Sequence, residues 1–458
     1  MILRRAWLLA LTLSLAAASP ARAEVARPVH ETRLANGLRL VVAPDPAGTD
    51  ASVLVRYDTG SRDEPGGLEG LAHLVEHVMF LGSSHVEPGA FARLLEQAGA
   101  TNLNGTTDMD STTYFETVPP ERLELALWLE SDRMGYGLAR LDDPTLARAR
   151  AEVQNERRDR VVDRAFGEVP AILHAQLFPA WHPYHHLPIG RPASIEHAST
   201  ADVRAFVRTW YGPANATVVV AGKVDPAAVK ALVERYFGSL PANAPPVRPA
   251  MPAAETASSV TVRVGANALR SEIHLAWATP RFGAPGDVEL DLAAGLLVDR
   301  GAGWLERRLL AEPRLCVAVS AAQSSRALVS VFEIHAVVAE GRSVSEAFAG
   351  IVAALKRFDG EVSDDEIERA RRLFQRGKLF GMESSLGLGR ELAGLSRLGP
   401  LPASYDGRHG LYASITTGAV RSAVHTWLGA APWVAVLGVP ERGRPAAGEV
   451  ASSQEVPR

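Results

Sequence analysis

Apolar residues first come in short alternating runs and then recur every three to four positions, and this change of period predicts where strands give way to helices. Within residues 32–43 two short apolar runs flank Asn36-Gly37, the dipeptide that favours a tight hairpin turn. Ala51–Tyr57 alternates as a strand. A Gly-rich loop ends at Gly67, and from there the helical period predicts a helix over 68–80, closed by Gly82. Further helices are predicted over 88–97, 121–136 and 144–164, with Asp143 as cap and Pro144 in the first turn of the last.

Residues 239–259, SLPANAPPVRPAMPAAETASS, are rich in Pro and Ala and carry neither period, which is the signature of a linker. The two flanking halves resemble each other. DVRAFVRTWYGPANATVVVAGKV closes the first half at Val224, and AVRSAVHTWLGAAPWVAVLGV closes the second at Val439, each reading as a helix that runs into a Val-rich strand. The expected fold class is therefore α+β: two homologous mixed domains, each with helices on one face of a largely antiparallel sheet. The expected division is a signal peptide at 1–23, a first domain at 24–240, the linker at 241–257, a second domain at 258–445 and a tail at 446–458.

Length agrees with more than one domain, since 458 residues exceed the usual size of a single core. The apolar share of 47% is ordinary for a globular chain. At the N-terminus Arg4 and Arg5 precede an apolar run that ends in Ala21-Arg22-Ala23, the pattern of a secretory signal cleaved after Ala23. The run is short for a membrane span and nothing later reads as one, so a periplasmic or secreted protein is expected. Cleavage would move the formal charge from −4 to −7, and no basic block argues for nucleic acid. Cys316 is the only cysteine, which rules out internal disulfides and a cysteine-based metal site.

The sharpest chemical signal is His73-Leu74-Val75-Glu76-His77, an H-x-x-E-H string inside the predicted helix 68–80. Residues four apart share a helix face, so both imidazoles can hold one ion while Glu76 stands beside them. This is the inverted form of the H-E-x-x-H metallopeptidase motif. Two neutral imidazoles and one carboxylate leave a tetrahedral zinc with an open position, and a neighbouring carboxylate can act as general base. The residues alone leave Glu152, Glu156 and Glu168 unranked as the third ligand.

GLAHLVEHVMFLGSS, with AGATNLNGTTDMDSTTYFETVP downstream, resembles the pitrilysin, insulinase and mitochondrial processing peptidase family of zinc peptidases. The family's cleft-lining pattern Asn-Ala-x-Thr-x-x-Asp-x-Thr-x-Tyr falls on Asn104 to Tyr114, with Gly105 in place of the Ala. Its third ligand lies in a segment like V-V-x-N-E-R-R, which here is Glu152-Val153-Gln154-Asn155-Glu156-Arg157-Arg158, so the resemblance implies Glu156. The family's further Glu, seven residues earlier, is Ala149 here, which loosens the support of the ligands unless Glu152 replaces it. His182-Pro183-Tyr184 and Tyr211-Gly212-Pro213-Ala214-Asn215 extend the match. The histidines His182, His185 and His186 read as an exposed turn and are left out of the site.

The resemblance implies a zinc-dependent endopeptidase, with Zn2+ on His73, His77 and Glu156, Glu76 as general base, and Asn104 holding the backbone of an extended peptide. The family's Arg and Tyr pair, seven residues apart in the second half, falls on Leu310 and Val317 and is missing. A related subunit that carries the pair is thus the expected partner, in a heterodimer. Two other readings stay open: a non-catalytic chamber or assembly subunit, and a zinc hydrolase acting on a non-peptide bond. Gly387-Leu388-Gly389-Arg390 lacks a third Gly and a preceding strand, so it reads as a helix start and not as a dinucleotide loop.

Overall fold

The computed structural model describes residues 28–441, apart from 253–255, 257, 313 and 402–411. The expected signal peptide at 1–23 and the tail at 446–458 lie outside the described residues, as does part of the linker.

The first half folds around a six-stranded sheet. Its strands are β1 (His30–Arg33), β2 (Arg39–Pro44), β3 (Ala51–Tyr57), β4 (Thr101–Thr107), β5 (Thr112–Val118) and β6 (Ala216–Gly222), in the order β1-β2-β6-β3-β5-β4. The second half holds β7 (Val260–Ala266), β8 (Glu272–Thr279), β9 (Cys316–Ser324), β10 (Ser330–Val338) and β11 (Val434–Pro440), in the order β7-β11-β8-β10-β9. Each sheet has one parallel pair, β2 with β6 and β7 with β11, and is otherwise antiparallel. Apart from β1 the two orders superpose strand for strand, and the echoed Thr-Trp segments lead into the corresponding strands β6 and β11. The mixed two-half fold is thus as the sequence pattern implied.

The helices that bear on the site are α1 (Leu71–Val78), α2 (Ala90–Gln97), α3 (Leu123–Tyr136), α4 (Asp143–Arg157) and α5 (Val169–Leu177). Leu71, Leu74, Val75 and Val78 of α1 are buried with Val53, Val55, Tyr57 and Tyr114 of the sheet. Burying each such side chain contributes about 1.5–3 kcal/mol, so the metal-motif helix is anchored by its apolar face. It is shorter than the predicted 68–80 because Gly70, at φ 101°, starts it and buried Glu64 accepts the Gly70 and Ala72 amides. The last predicted helix also differs. Asp142, not Asp143, is its cap, accepting the Thr145 amide, and after Arg157 the backbone widens into a π-helical turn, Arg158–Val162.

Each sheet carries its own helices on one face, and a helix from the opposite half covers the other. Helix Ser385–Leu395 of the second half packs Leu388 and Leu392 on Leu54, Phe115 and Val219 of the first sheet. Its Gly389 lies so near Leu54 that a Cβ would stand 2.3 Å from that side chain, which accounts for a glycine at this position. Reciprocally, α5 packs Val169, Leu173 and Leu177 on Ala276, Val331, Val434 and Val436 of the second sheet.

Candidate metal centre

On α1 the four-residue spacing brings the His73 and His77 rings to a centroid separation of 4.9 Å. His73 and Glu76 are buried and His77 is half-buried. α4 runs against α1 and presents Glu156 from its last turn. His73 Nε2 and His77 Nε2 are 3.3 Å apart, and Glu156 Oε2 lies 3.4 Å from the first and 3.2 Å from the second. A tetrahedral zinc with bonds of about 2.0–2.1 Å separates its ligands by roughly 3.3 Å, so this nearly equilateral triangle fits such an ion. The two imidazoles, His73 first, hold the Glu156 carboxyl far below the usual carboxylate range against its partial burial. Arg160 completes that carboxylate's contacts, with Nη1 2.7 Å from Oε1.

The outer contacts bring Glu152 to the site in the absence of a carboxylate at Ala149. Ala149 is buried in the core, and Glu152, one turn nearer the ligand, places Oε2 3.4 Å from His77 Nδ1. Burial lowers the His77 pKa, but the carboxylates of Glu156 and Glu152 outweigh it and raise the net value. Glu152 thus stands where a ligand-orienting carboxylate is needed.

Glu76 is not part of the triangle. Its Oε2 accepts the Thr107 hydroxyl at 2.5 Å, and β4 passes so close that a Cβ on Gly105 would stand 2.9 Å from Glu76 Oε1 and 3.0 Å from the Phe80 ring. Gly105, where the family pattern has Ala, leaves room for the carboxylate. β4 is the edge strand of the first sheet, and Asn104 lies on it, exposed, with Oδ1 accepting the Gly105 amide. An exposed edge with unpaired backbone groups can take a further strand.

Thr107 was not singled out from sequence, although it sits at the first Thr of the quoted pattern, whereas Glu152 was named there as the residue that could stand in for the Glu absent at 149. The other pattern residues are also engaged. Asp110 is buried between the halves, Thr112 donates to the Thr59 carbonyl, and the Tyr114 hydroxyl faces that of Tyr211 at 3.5 Å. The three turn histidines are not exposed as expected, since His182 is buried and His185 and His186 are half-buried, and each has a partner. His186 Nε2 lies 2.8 Å from Glu64 Oε2, the same carboxylate that caps α1, His185 Nδ1 meets the Phe178 carbonyl, and His182 Nδ1 accepts the Tyr184 amide. In the second half Val317, where the family's Tyr would fall, is the extra residue of a β-bulge on edge strand β9 and is exposed, while Leu310 ends a short helix.

A profile described as "Insulinase (Peptidase family M16)" matches residues 39–178, and one described as "Peptidase M16 inactive domain" matches 197–374. The chain belongs to this peptidase family, the one its motifs resemble. It is 29% identical over 371 residues to "Zinc protease PqqE" of Helicobacter pylori, covering 78% of this chain and 81% of that one. It is 32% identical over 237 residues to "Mitochondrial-processing peptidase subunit beta" of Blastocladiella emersonii, spanning about half of each, 51% and 49%. Among solved structures, that of a protease from Helicobacter pylori superposes with a TM-score of 0.83 at 24% identity, over 90% of this chain and all of that one.

Proposed function

We propose that this chain is a zinc-dependent endopeptidase that hydrolyses extended peptides or unfolded segments. The observation that carries the reading is the His73, His77 and Glu156 donor triangle beside the buried Glu76 carboxylate. Zinc held there would supply Lewis acidity toward the scissile carbonyl and bring the pKa of water toward neutrality. Glu76, oriented by Thr107, takes the proton of the attacking water and returns it to the leaving amine. A peptide added along β4, with Asn104 holding its backbone, would present its carbonyl to this pair and favour extended substrates. The support for a peptide bond is membership of a peptidase family and a relative named as a zinc protease.

Within the same reading the chain is the zinc-bearing partner of a heterodimer. Leu310 and Val317 offer no polar group where the family's Arg and Tyr would stand, and one relative is named as a subunit. Export to the periplasm or medium rests on the N-terminal pattern, and among the described residues no helix is long and apolar enough to cross a membrane. The missing pair also favours a second reading, a non-catalytic chamber or assembly subunit. The test is cleavage of quenched peptides, beside ester substrates, by the mature chain alone and mixed with a relative that carries the pair. Peptide cleavage that needs the mixture and vanishes in Glu76→Gln supports the proposal. Full activity alone refutes the heterodimer, and an inactive mixture with metal-loaded chain moves the assignment to the structural subunit.

A further inference from the structure

The second sheet carries another set of metal-type ligands, remote in sequence from the first. Glu272 and His274 stand two apart on β8, so strand alternation puts them on one face, and His335 on β10 is the direct cross-strand partner of His274. Glu272 Oε2 lies 3.2 Å from His274 Nε2 and 3.0 Å from His335 Nε2. The two rings are 25° from parallel, with centroids 4.3 Å apart, and the three donor atoms all fall within 4.8 Å of one another.

The donor set repeats that of the first centre, two imidazole nitrogens and one carboxylate oxygen, and the two carboxylate-to-imidazole contacts are near the edge of a zinc tetrahedron. β8 lies between β11 and β10, and β10 between β8 and β9, so the ladders hold both strands from each side and the ligands need little ordering. The cluster shares its face with Ala276 and Val331, which α5 covers, but on the β9 side Ala318, Ser320 and Ala322 are exposed and leave the approach open. We propose that Glu272, His274 and His335 form a second zinc site on the face of the second sheet that α5 only partly covers, with its remaining position free for water or an incoming side chain.

The test is metal content per chain, measured by plasma mass spectrometry after the full chain is stripped with chelator, reloaded with Zn2+ and desalted. Two ions per chain are expected in the wild type, one in His335→Ala, one in His77→Ala and none in the double variant. Glu272→Gln, which keeps size and shape, should also hold one, so that a loss in His335→Ala is not read from an unfolded protein. Two ions retained in both second-sheet variants overturn the proposal, as does one ion in the wild type with none in His77→Ala. A single wild-type ion that survives His77→Ala and disappears in His335→Ala keeps the second site and refutes the first, so the two assignments fail separately.

Discussion

Asp110 is the pattern residue whose role the sequence left blank, and its surroundings set the size of the effect of removing its charge. Its carboxylate is buried at the seam between the halves. Oδ1 accepts from Arg62 Nη1 at 3.0 Å and from the Tyr184 hydroxyl at 2.5 Å, both in the first half. Oδ2 accepts from the Ala327 amide at 2.7 Å and from Arg397 Nη1 at 3.4 Å, both in the second. In Asp110→Asn one oxygen can still serve one pair of donors, but the new amide must face the other pair, donor against donor. Hydrogen bonds to a charged group contribute about 1.5–3 kcal/mol each, and stripping one partner from a buried charge pair costs about 3–5 kcal/mol. The contributions are not additive, so about 3–5 kcal/mol is expected in total. In urea denaturation followed by tryptophan fluorescence this is a midpoint shift on the order of 1 M. Asp108→Asn is the control: Asp108 is exposed on the same turn and accepts only the Met109 amide, so its loss should stay within about 0.5 kcal/mol. An Asp110→Asn midpoint that matches the control would refute the argument that this charge ties the halves together.

Gly105→Ala, which restores the family residue, should push the Glu76 carboxylate aside by a few tenths of an ångström and lower kcat roughly 3–10-fold at unchanged metal content; an unaltered kcat would show that Glu76 has room. Thr107→Val removes the hydroxyl from Glu76 and should lower kcat about tenfold with KM preserved, the equivalent of one hydrogen bond near 1.4 kcal/mol, and a change confined to KM would contradict an orienting role. Glu116 is fully buried, and burial first and the Glu130 charge second raise its carboxyl pKa well above the usual range. With a folded value above the unfolded one, its contribution is fully present below about pH 4.3 and is lost as pH rises through the folded value. Glu116→Gln should therefore gain on the wild type with rising pH, by up to about 1.4 kcal/mol per unit, and an equal Tm difference at pH 5 and pH 8 would refute a protonated Glu116.

What the sequence made legible follows from how local each feature is. The His73, Glu76 and His77 constellation could be read directly because one helical period sets it, and β3 was placed to the residue because alternation and turn chemistry agree there. Glu156 could not be ranked against Glu152 and Glu168 by spacing, because a contact across 79 residues is a fact of packing, and only the family resemblance singled it out. Thr107 and Asp110 were visible as letters of a pattern, but their partners Glu76 and Arg397 come from other elements. Helix ends slipped where a distant or neighbouring side chain decided them: Glu64 at the start of α1, and Asp142 in place of Asp143 at the start of α4. Helix Ser385–Leu395 was legible as a helix, yet nothing local says that its apolar face belongs to the opposite sheet.

That exchange gives a physical reason for the proposed metal centre in one half to depend on a half that lacks the motif. His73 and Glu76 are placed by the first half alone, since α1 is buried on its own sheet. Glu156 is placed differently. The last core contact of α4 is Val153, one turn before the ligand, and the chain then widens into the π-helical turn, the kind of irregularity that gathers at functional sites. Across it Arg157 pairs with Glu168 at 2.9 Å, and beyond it Phe166 is held at φ 59°, a backbone region that costs of order 1–3 kcal/mol for such a residue. The Phe166 ring rests against Gly438 of β11, so closely that a Cβ there would stand 2.7 Å from it, and α5 follows directly onto the same sheet. Glu156, the proposed third ligand, therefore lies between an anchor in the first core and an anchor on the second sheet. The relative position of the two halves is then part of what sets the geometry of the His73, His77 and Glu156 triangle.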